Sequence, residues 1–227
     1  MIDITMTSTI RPEILKRTLE SFCQNMFIDK NKYRLIINID PIGEDIKPKF
    51  ILKTAQEYFD NIVYRYPSEP GFTKAIIWTW SQVKSDYVFN LQDDFKLLRP
   101  INIDYMIEVL ENNPKLASLR LNKNETPINN GDTEFTICPR ISLNPILFKY
   151  EFIKGVTPLM TPDENPEKQL RHSLKSERGR FIRKWEHGIY IKESRDRIVE
   201  DIGRKWINKS IYHKKIGFTK WEIKDEN

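Results

Sequence analysis

The run Tyr87-Val88-Phe89-Asn90-Leu91-Gln92-Asp93-Asp94-Phe95 constrains the chain more than any other, because it is an apolar stretch of strand length that stops on two adjacent carboxylates. In an open α/β sheet, ligands gather outside the carboxyl ends of the strands. A strand that ends there on Asp-Asp puts hard oxygen donors where a cation and a phosphate can meet. Mg²⁺ and Mn²⁺ are commonly held by one or two carboxylates plus substrate phosphate oxygens. An acidic pair at a turn can equally do no more than solvate a strand end, so the surrounding pattern has to decide.

That pattern is an alternation of strand and helix. Met1 to Met6 alternates apolar and polar residues as a first strand does, and the hydroxyl-rich Thr7-Ser8-Thr9-Ile10-Arg11-Pro12 comes next. Glu13 to Phe22 carries Ile14, Leu15, Thr18, Leu19 and Phe22 at helical spacing, with Pro12 suited to the first turn. Tyr33 to Asp40 reads as a second strand, Pro48 to Phe59 as a helix, Asn61 to Tyr66 as a third strand, and Gly71 to Trp80 as a turn entering a helix. The fourth strand delivers Asp93 and Asp94. This order predicts an α/β fold with a doubly wound, mostly parallel central sheet flanked by helices.

The remainder is less regular. Lys123 to Asp132 is polar and reads as loop, and Ser142 to Pro166 reads as a long irregular stretch of the kind that forms binding loops. Within it, Phe148 to Ile153 fits a short helix or a strand equally well. Asn165 and Pro166 suit the N-cap and first position of a helix carrying Glu167. Basic residues concentrate at 168–184 and 204–220, which predicts a basic, helical C-terminal third. Such a surface could meet nucleic acid, an anionic membrane face or a diphosphate, or be a solvated helix face balanced by Glu177, Glu186 and Glu193.

Composition fits a folded enzyme, with 227 residues, 39% hydrophobic, 30% charged and a net charge of +5. No apolar run reaches the ~18–20 residues that span a bilayer. The absence of a basic-then-apolar leader and the presence of only Cys23 and Cys138 lead to the expectation of a reducing, cytoplasmic setting. Cys23 sits beside the apolar stripe of the first helix and is expected in the core.

The segments ITMTSTIRPEILKRTLESF, IINIDP, EPGFTKAIIWTW and DYVFNLQDDF, in that order and spacing, resemble the nucleotide-sugar half of glycosyltransferases with the GT-A fold, in particular family-2-type transferases and their virus-encoded relatives. The likeness covers residues 1–120, with an echo near 163–171. It implies one GT-A-like domain over 1–227, with 1–120 binding a nucleotide sugar and 121–227 binding the acceptor and completing catalysis. It implies Mn²⁺ or Mg²⁺ on Asp94, with Asp93 or Gln92 nearer the ribose. Relatives often carry an acid where this chain has Gln92, a departure that weakens the expected dependence on metal.

By the same resemblance, Thr7, Thr9 and Arg11 lie where base, ribose or phosphate is held, Asp40 where a carboxylate accepts from a base N–H such as that of uracil, and Lys74 where a cation flanks the nucleotide. Glu167 falls on the general base of an inverting transfer, with Asp163 and Glu164 nearby. A late histidine, His187 or His213, joins the metal; His172 is the third in the chain. The partners implied are a nucleotide-sugar donor, with UDP the favoured carrier, and a glycan or glycoprotein acceptor, with no nucleic acid; a homo-oligomer is compatible.

Three other classes compete. A sugar nucleotidyltransferase shares the metal logic but would carry a Gly-rich phosphate loop after strand one, which is not present. A non-enzymatic nucleic-acid-binding protein would suit the basic C-terminal third, but no binding signature interleaves the basic residues. A metal-dependent nuclease built on Asp93, Asp94 and Glu167 would need a further carboxylate for a second ion.

Overall fold

Alternate residues of the central strands face two separate apolar cores, and this two-sided burial explains their nearly continuous hydrophobic sequence. In a computed structural model of the chain, Leu35, Ile37 and Ile39 enter one core with Phe89, Leu91 and Leu147. Ile36 enters the other with Val88, Ile146 and Phe148. The structure describes residues 1–124, 134–171, 175–192, 196–204, 206, 212–214 and 221–223, the last two segments as backbone.

The first half follows the expected alternation: β1 (Ile2–Ile10), α1 (Pro12–Asn25), β2 (Tyr33–Gly43), α2 (Lys49–Gln56), β3 (Ile62–Arg65), α3 (Phe72–Ser81) and β4 (Tyr87–Gln92). Next come β5 (Phe95–Leu97), α4 (Ile103–Asn112), β6 (Leu116–Leu121), β7 (Phe135–Ile137), β8 (Ile146–Lys149) and α5 (Tyr150–Val156). The remainder holds α6 (Pro166–Gln169), α7 (Glu177–Ile182), β9 (Glu186–Tyr190), β10 (Val199–Asp201), β11 (Tyr212–Lys214) and β12 (Trp221–Ile223). Eight strands form one sheet in the order β3-β2-β1-β4-β8-β6-β9-β7. β1, β2, β3 and β4 run parallel, as do β6 and β9, while β8 is antiparallel to both its neighbours. Two small antiparallel ribbons, β5–β10 and β11–β12, complete the described strands.

Each helix covers the sheet with one face. α1 starts on Pro12 and buries Leu15, Thr18, Leu19 and Phe22, while α4 buries Met106, Val109 and Leu110 in the same core. On the other face, Trp80 of α3 packs edge-on against Phe148, and Phe148 stacks on Phe152 of α5. Trp80 Nε1 donates to buried Asn90 Oδ1 at 3.1 Å, so the polar end of the indole is satisfied inside the core. Cys23 lies against the first core, and burial pushes its thiol up to about 12.

Several expectations need correction. β1 does not stop at Met6 but runs to Ile10, because parallel pairing continues past it, with β4 through Thr7 and with β2 to Ile10. Phe148 to Ile153 is neither strand nor helix throughout: β8 ends at Lys149 and α5 begins at Tyr150, so the stretch 142–166, expected to be irregular, contains a strand, a helix and a 3-10 turn at Thr157–Leu159. The last third is not simply helical, since α6 and α7 are short and β9 to β12 share the segment with them. Among the described residues, no helix is long and apolar enough to cross a membrane.

Candidate functional site

Register alone brings the strand-end residues together. Thr7 pairs with Gln92 and Ser8 with Ile39, so Asp93 and Asp40 both fall beside the carboxyl end of β1. Asp93 and Asp94 make the turn from β4 to β5, a usual place for Asp. Asp93 N extends the ladder by donating to Thr7 O at 3.2 Å, and Thr18 Oγ1 of α1 donates to Asp93 O at 2.7 Å.

The Asp93 carboxylate is saturated. Its Oδ2 accepts from Ser8 Oγ at 3.0 Å, Thr9 N at 2.9 Å and Thr9 Oγ1 at 3.5 Å, while its Oδ1 accepts from Arg11 Nη2. The same Nη2 lies 3.3 Å from Asp94 Oδ2. Burial alone would lower the pKa of Arg11, but the charges of Asp93 and Asp94 outweigh it and hold the guanidinium pKa above its usual value.

A C-terminal segment covers this cluster. Ile202 N donates to Asp94 O at 2.8 Å. A Cβ added at Gly203 would lie 2.3 Å from Asp94 Oδ2, so only glycine allows this approach. The ring of Trp206 lies 5.1 Å from the Arg11 guanidinium carbon. Asp201, just before this segment, pairs with Lys123 at 2.7 Å, and that contact keeps its carboxyl low against the opposing effect of burial.

On the other side, buried Asp40 links β2 to α3. Its Oδ1 accepts from Asn38 Nδ2 at 2.7 Å and its Oδ2 from Gly71 N at 3.0 Å. Burial pushes its pKa up, aided by the charge of Asp93 and opposed by these hydrogen bonds and by Arg65. Lys74, in the first turn of α3, is half-exposed and lies 3.7 Å from Asp163. Thr73 Oγ1 donates to Glu164 O at 2.5 Å, tying α3 to the segment that starts α6.

α6 is capped as its sequence indicates, with Pro166 in the first turn and Asn165 Oδ1 accepting from Lys168 N at 2.9 Å. Glu167 Oε1 accepts from Ser142 Oγ at 3.0 Å and Leu143 N at 2.9 Å. Gln92 Nε2 in turn donates to Leu143 O at 3.0 Å, so one loop connects Glu167 to the end of β4. Hydrogen bonds from Gln92 to Leu143, Leu143 to Glu167, Thr73 to Glu164 and Gly71 to Asp40, joined by short chain segments, thus link Asp93 to Asp40 around one sheet edge.

Thr7, Thr9, Arg11, Asp40, Lys74, Asp93, Asp94 and Glu167 therefore belong to one edge. His187 does not. It is buried in β9, its Nδ1 is 2.8 Å from Ser118 Oγ, and its ring meets Phe152 edge-on. It is level with Ser118, Phe148 and Val88 across successive strands, three strands from β4 and well before that strand's end. Three inter-strand gaps amount to about 14 Å, so the structure does not bring His187 to Asp94. His213 lies in β11, paired with Glu222, with its side chain outside the described residues; His172 is outside them altogether. Ser8, Asn38, Gly203 and Trp206 do not stand out in the sequence. Nothing local marks Gly203 or Trp206, because their role depends on a contact more than a hundred residues away.

The donors suit a hard cation in chemistry and charge. Two strand-end carboxylates share the Arg11 guanidinium, and oxygen donors of this kind are what a hard cation takes. Among the described residues no group of three His, Cys, Asp or Glu closes a complete metal cage, so further ligands would have to come from a bound substrate.

No protein-family model matches the sequence, and no curated protein does. Solved structures do match in fold. S. aureus TarS aligns with 91% of this chain at a TM-score of 0.56 and 10% identity, and a TarS fragment, 1–349, with 92% at 0.52 and 12%. A mannosyltransferase from Pyrobaculum calidifontis, solved with GDP-Man and Mn²⁺, aligns with 73% of the chain at 0.56 and 12%. The chain spans 38%, 63% and 49% of those chains respectively. With its mostly parallel sheet and flanking helices, the chain shares the GT-A-like fold of these structures.

Proposed function

We propose that the chain transfers a sugar from a nucleoside-diphosphate sugar, with UDP as the favoured nucleotide, to a hydroxyl of a glycan or glycoprotein. The observation that carries this reading is the gathering of Thr9, Arg11, Asp40, Asp93 and Asp94 at the carboxyl edge of β1, β2 and β4, the edge where α/β folds hold ligands. Fold neighbours give it support, since the mannosyltransferase was solved with GDP-Man and Mn²⁺ and the S. aureus TarS fragment has also been solved with UDP.

Asp40 holds the base: its fixed carboxylate can accept a further N–H. Thr7, Thr9 and Lys74 flank the ribose and phosphates. Asp94, with Asp93 behind it, would hold Mn²⁺ or Mg²⁺, which when bound neutralises charge on the leaving diphosphate. Arg11 adds a fixed positive charge at the same place. Glu167 takes the proton of the acceptor hydroxyl, in a transfer that inverts the anomeric centre. Its Oε1 is anchored by Ser142 and Leu143, and no described residue donates to Oε2.

The test is a thermal-shift panel of UDP, GDP and CMP with and without Mn²⁺, repeated on Asp40→Ala. A ligand bound only by the folded state at about 100 times its Kd adds roughly 2.7 kcal/mol. UDP should raise Tm in the wild type and much less in Asp40→Ala. No shift with any nucleotide would refute the reading.

A further inference from the structure

Arg11 satisfies its partners better than its own donors. Nη2 serves both Asp93 and Asp94, yet Nε and Nη1 are buried without a hydrogen-bond partner among the described residues. The residue is only 3% exposed. Leaving such donors unpaired costs about 1–3 kcal/mol each, more on a charged group. Asp93 does not depend on Arg11 alone, because Ser8 and Thr9 hold its other oxygen. The contact at stake is therefore the one to Asp94.

We infer that Arg11 is a stand-in cation: in the donor-free protein its guanidinium holds Asp94 and bars a divalent ion from that carboxylate. The inference rests on the donor reading for its release step. A divalent ion arriving alone would stand beside a buried guanidinium that it had deprived of a carboxylate, and like charges at that range repel strongly. A nucleoside diphosphate changes the balance. Its oxygens can accept charge-assisted hydrogen bonds from Nε and Nη1, which lie on different edges of the guanidinium, and the ion can take over the contact that Arg11 makes to Asp94. Ion and diphosphate then bind with positive coupling, and by linkage the coupling is reciprocal.

The experiment is a titration of Mn²⁺, read from the electron paramagnetic resonance of the free ion, into wild type, Arg11→Gln and Asp94→Asn, with and without UDP. Without UDP, Arg11→Gln should bind Mn²⁺ at least ~10-fold tighter than wild type, within the usual span of coupling between sites. Asp94→Asn should bind none at the site. UDP should tighten Mn²⁺ binding by wild type and have a smaller effect on Arg11→Gln. Equal Mn²⁺ affinity of wild type and Arg11→Gln in the absence of nucleotide overturns the proposal. Should Arg11→Gln fail to fold by circular dichroism, the wild type decides: Mn²⁺ bound as tightly without UDP as with it, and lost in Asp94→Asn, overturns it as well. A gain in Arg11→Gln with no effect of UDP or GDP on either protein keeps the proposal and refutes the donor reading.

Discussion

Two buried Asp–Arg contacts sit at opposite ends of β1, and they differ in completeness. At the start of the strand, Asp3 takes Arg34 in a two-pronged pair at 2.7 Å for each prong, and its Oδ2 also accepts from Lys84 N and Ser85 N at 2.7 and 3.0 Å. At the far end, Arg11 is shared between two acids and retains idle donors. The first pair ties β1, β2 and the turn before β4 together and is a stability element. Asp3→Asn leaves a buried guanidinium uncompensated and should cost about 3–5 kcal/mol. Burial opposes the charged form of Asp3, but Arg34 and the backbone donors prevail and lower its pKa. A depressed carboxyl pKa stabilises the fold above the unfolded value and loses that effect as pH falls through the folded value. The Tm gap between wild type and Asp3→Asn should therefore be full near neutrality and close in strong acid. A gap independent of pH would refute this account. Neither pair is legible in the sequence, since Asp3 meets Arg34 and Arg11 meets Asp93 only once strand register is known. The place of Arg11 just after the first strand suggests a nucleotide contact; that it grips the acidic pair emerges only from the fold.

Among the elements, short ones position the chemistry. α6 has only four residues, yet it is pinned by its own N-cap, by Gln169 donating to Thr161 O and Glu164 O, and by Glu167 holding the 142–143 loop. Its cap is readable in the sequence because Asn165 and Pro166 act locally. The β8–α5 junction is not, because Phe148 and Phe152 belong to one apolar run whose change of period falls between them. His187, offered by the resemblance as a metal ligand, misleads for a similar reason: pairing with β6 draws it into the sheet beside Ser118. Glu167→Gln keeps shape and loses basicity, so transfer measured at saturating donor should fall ~10²–10⁴-fold with UDP affinity little changed. Retention of the donor's anomeric configuration would remove the need for this base. Gly203→Ala drives a methyl into Asp94 and should cost about 1–3 kcal/mol as an overpacked contact. An unchanged Tm in that variant would mean the segment does not close over Asp94 in solution.

For the molecule as a whole, the parallel half is the most legible part, since strands buried on both faces and amphipathic helices announce themselves by period. The second half depends on pairings between distant segments, which no local pattern encodes. β8 is the clearest case. It lies between β4 and β6, although the chain makes it after both. On a ribosome, β4 and β6 emerge and wait with open edges until residues 146–149 arrive to pair with each. Open edges invite pairing with other chains, and such distant closure slows folding. A nascent chain stalled shortly after Leu121 should therefore remain protease-sensitive and adhesive, and release past Lys149 should abruptly confer resistance. The vulnerable window in the life of this protein is then its synthesis, between the making of the two strands and the arrival of the one that joins them.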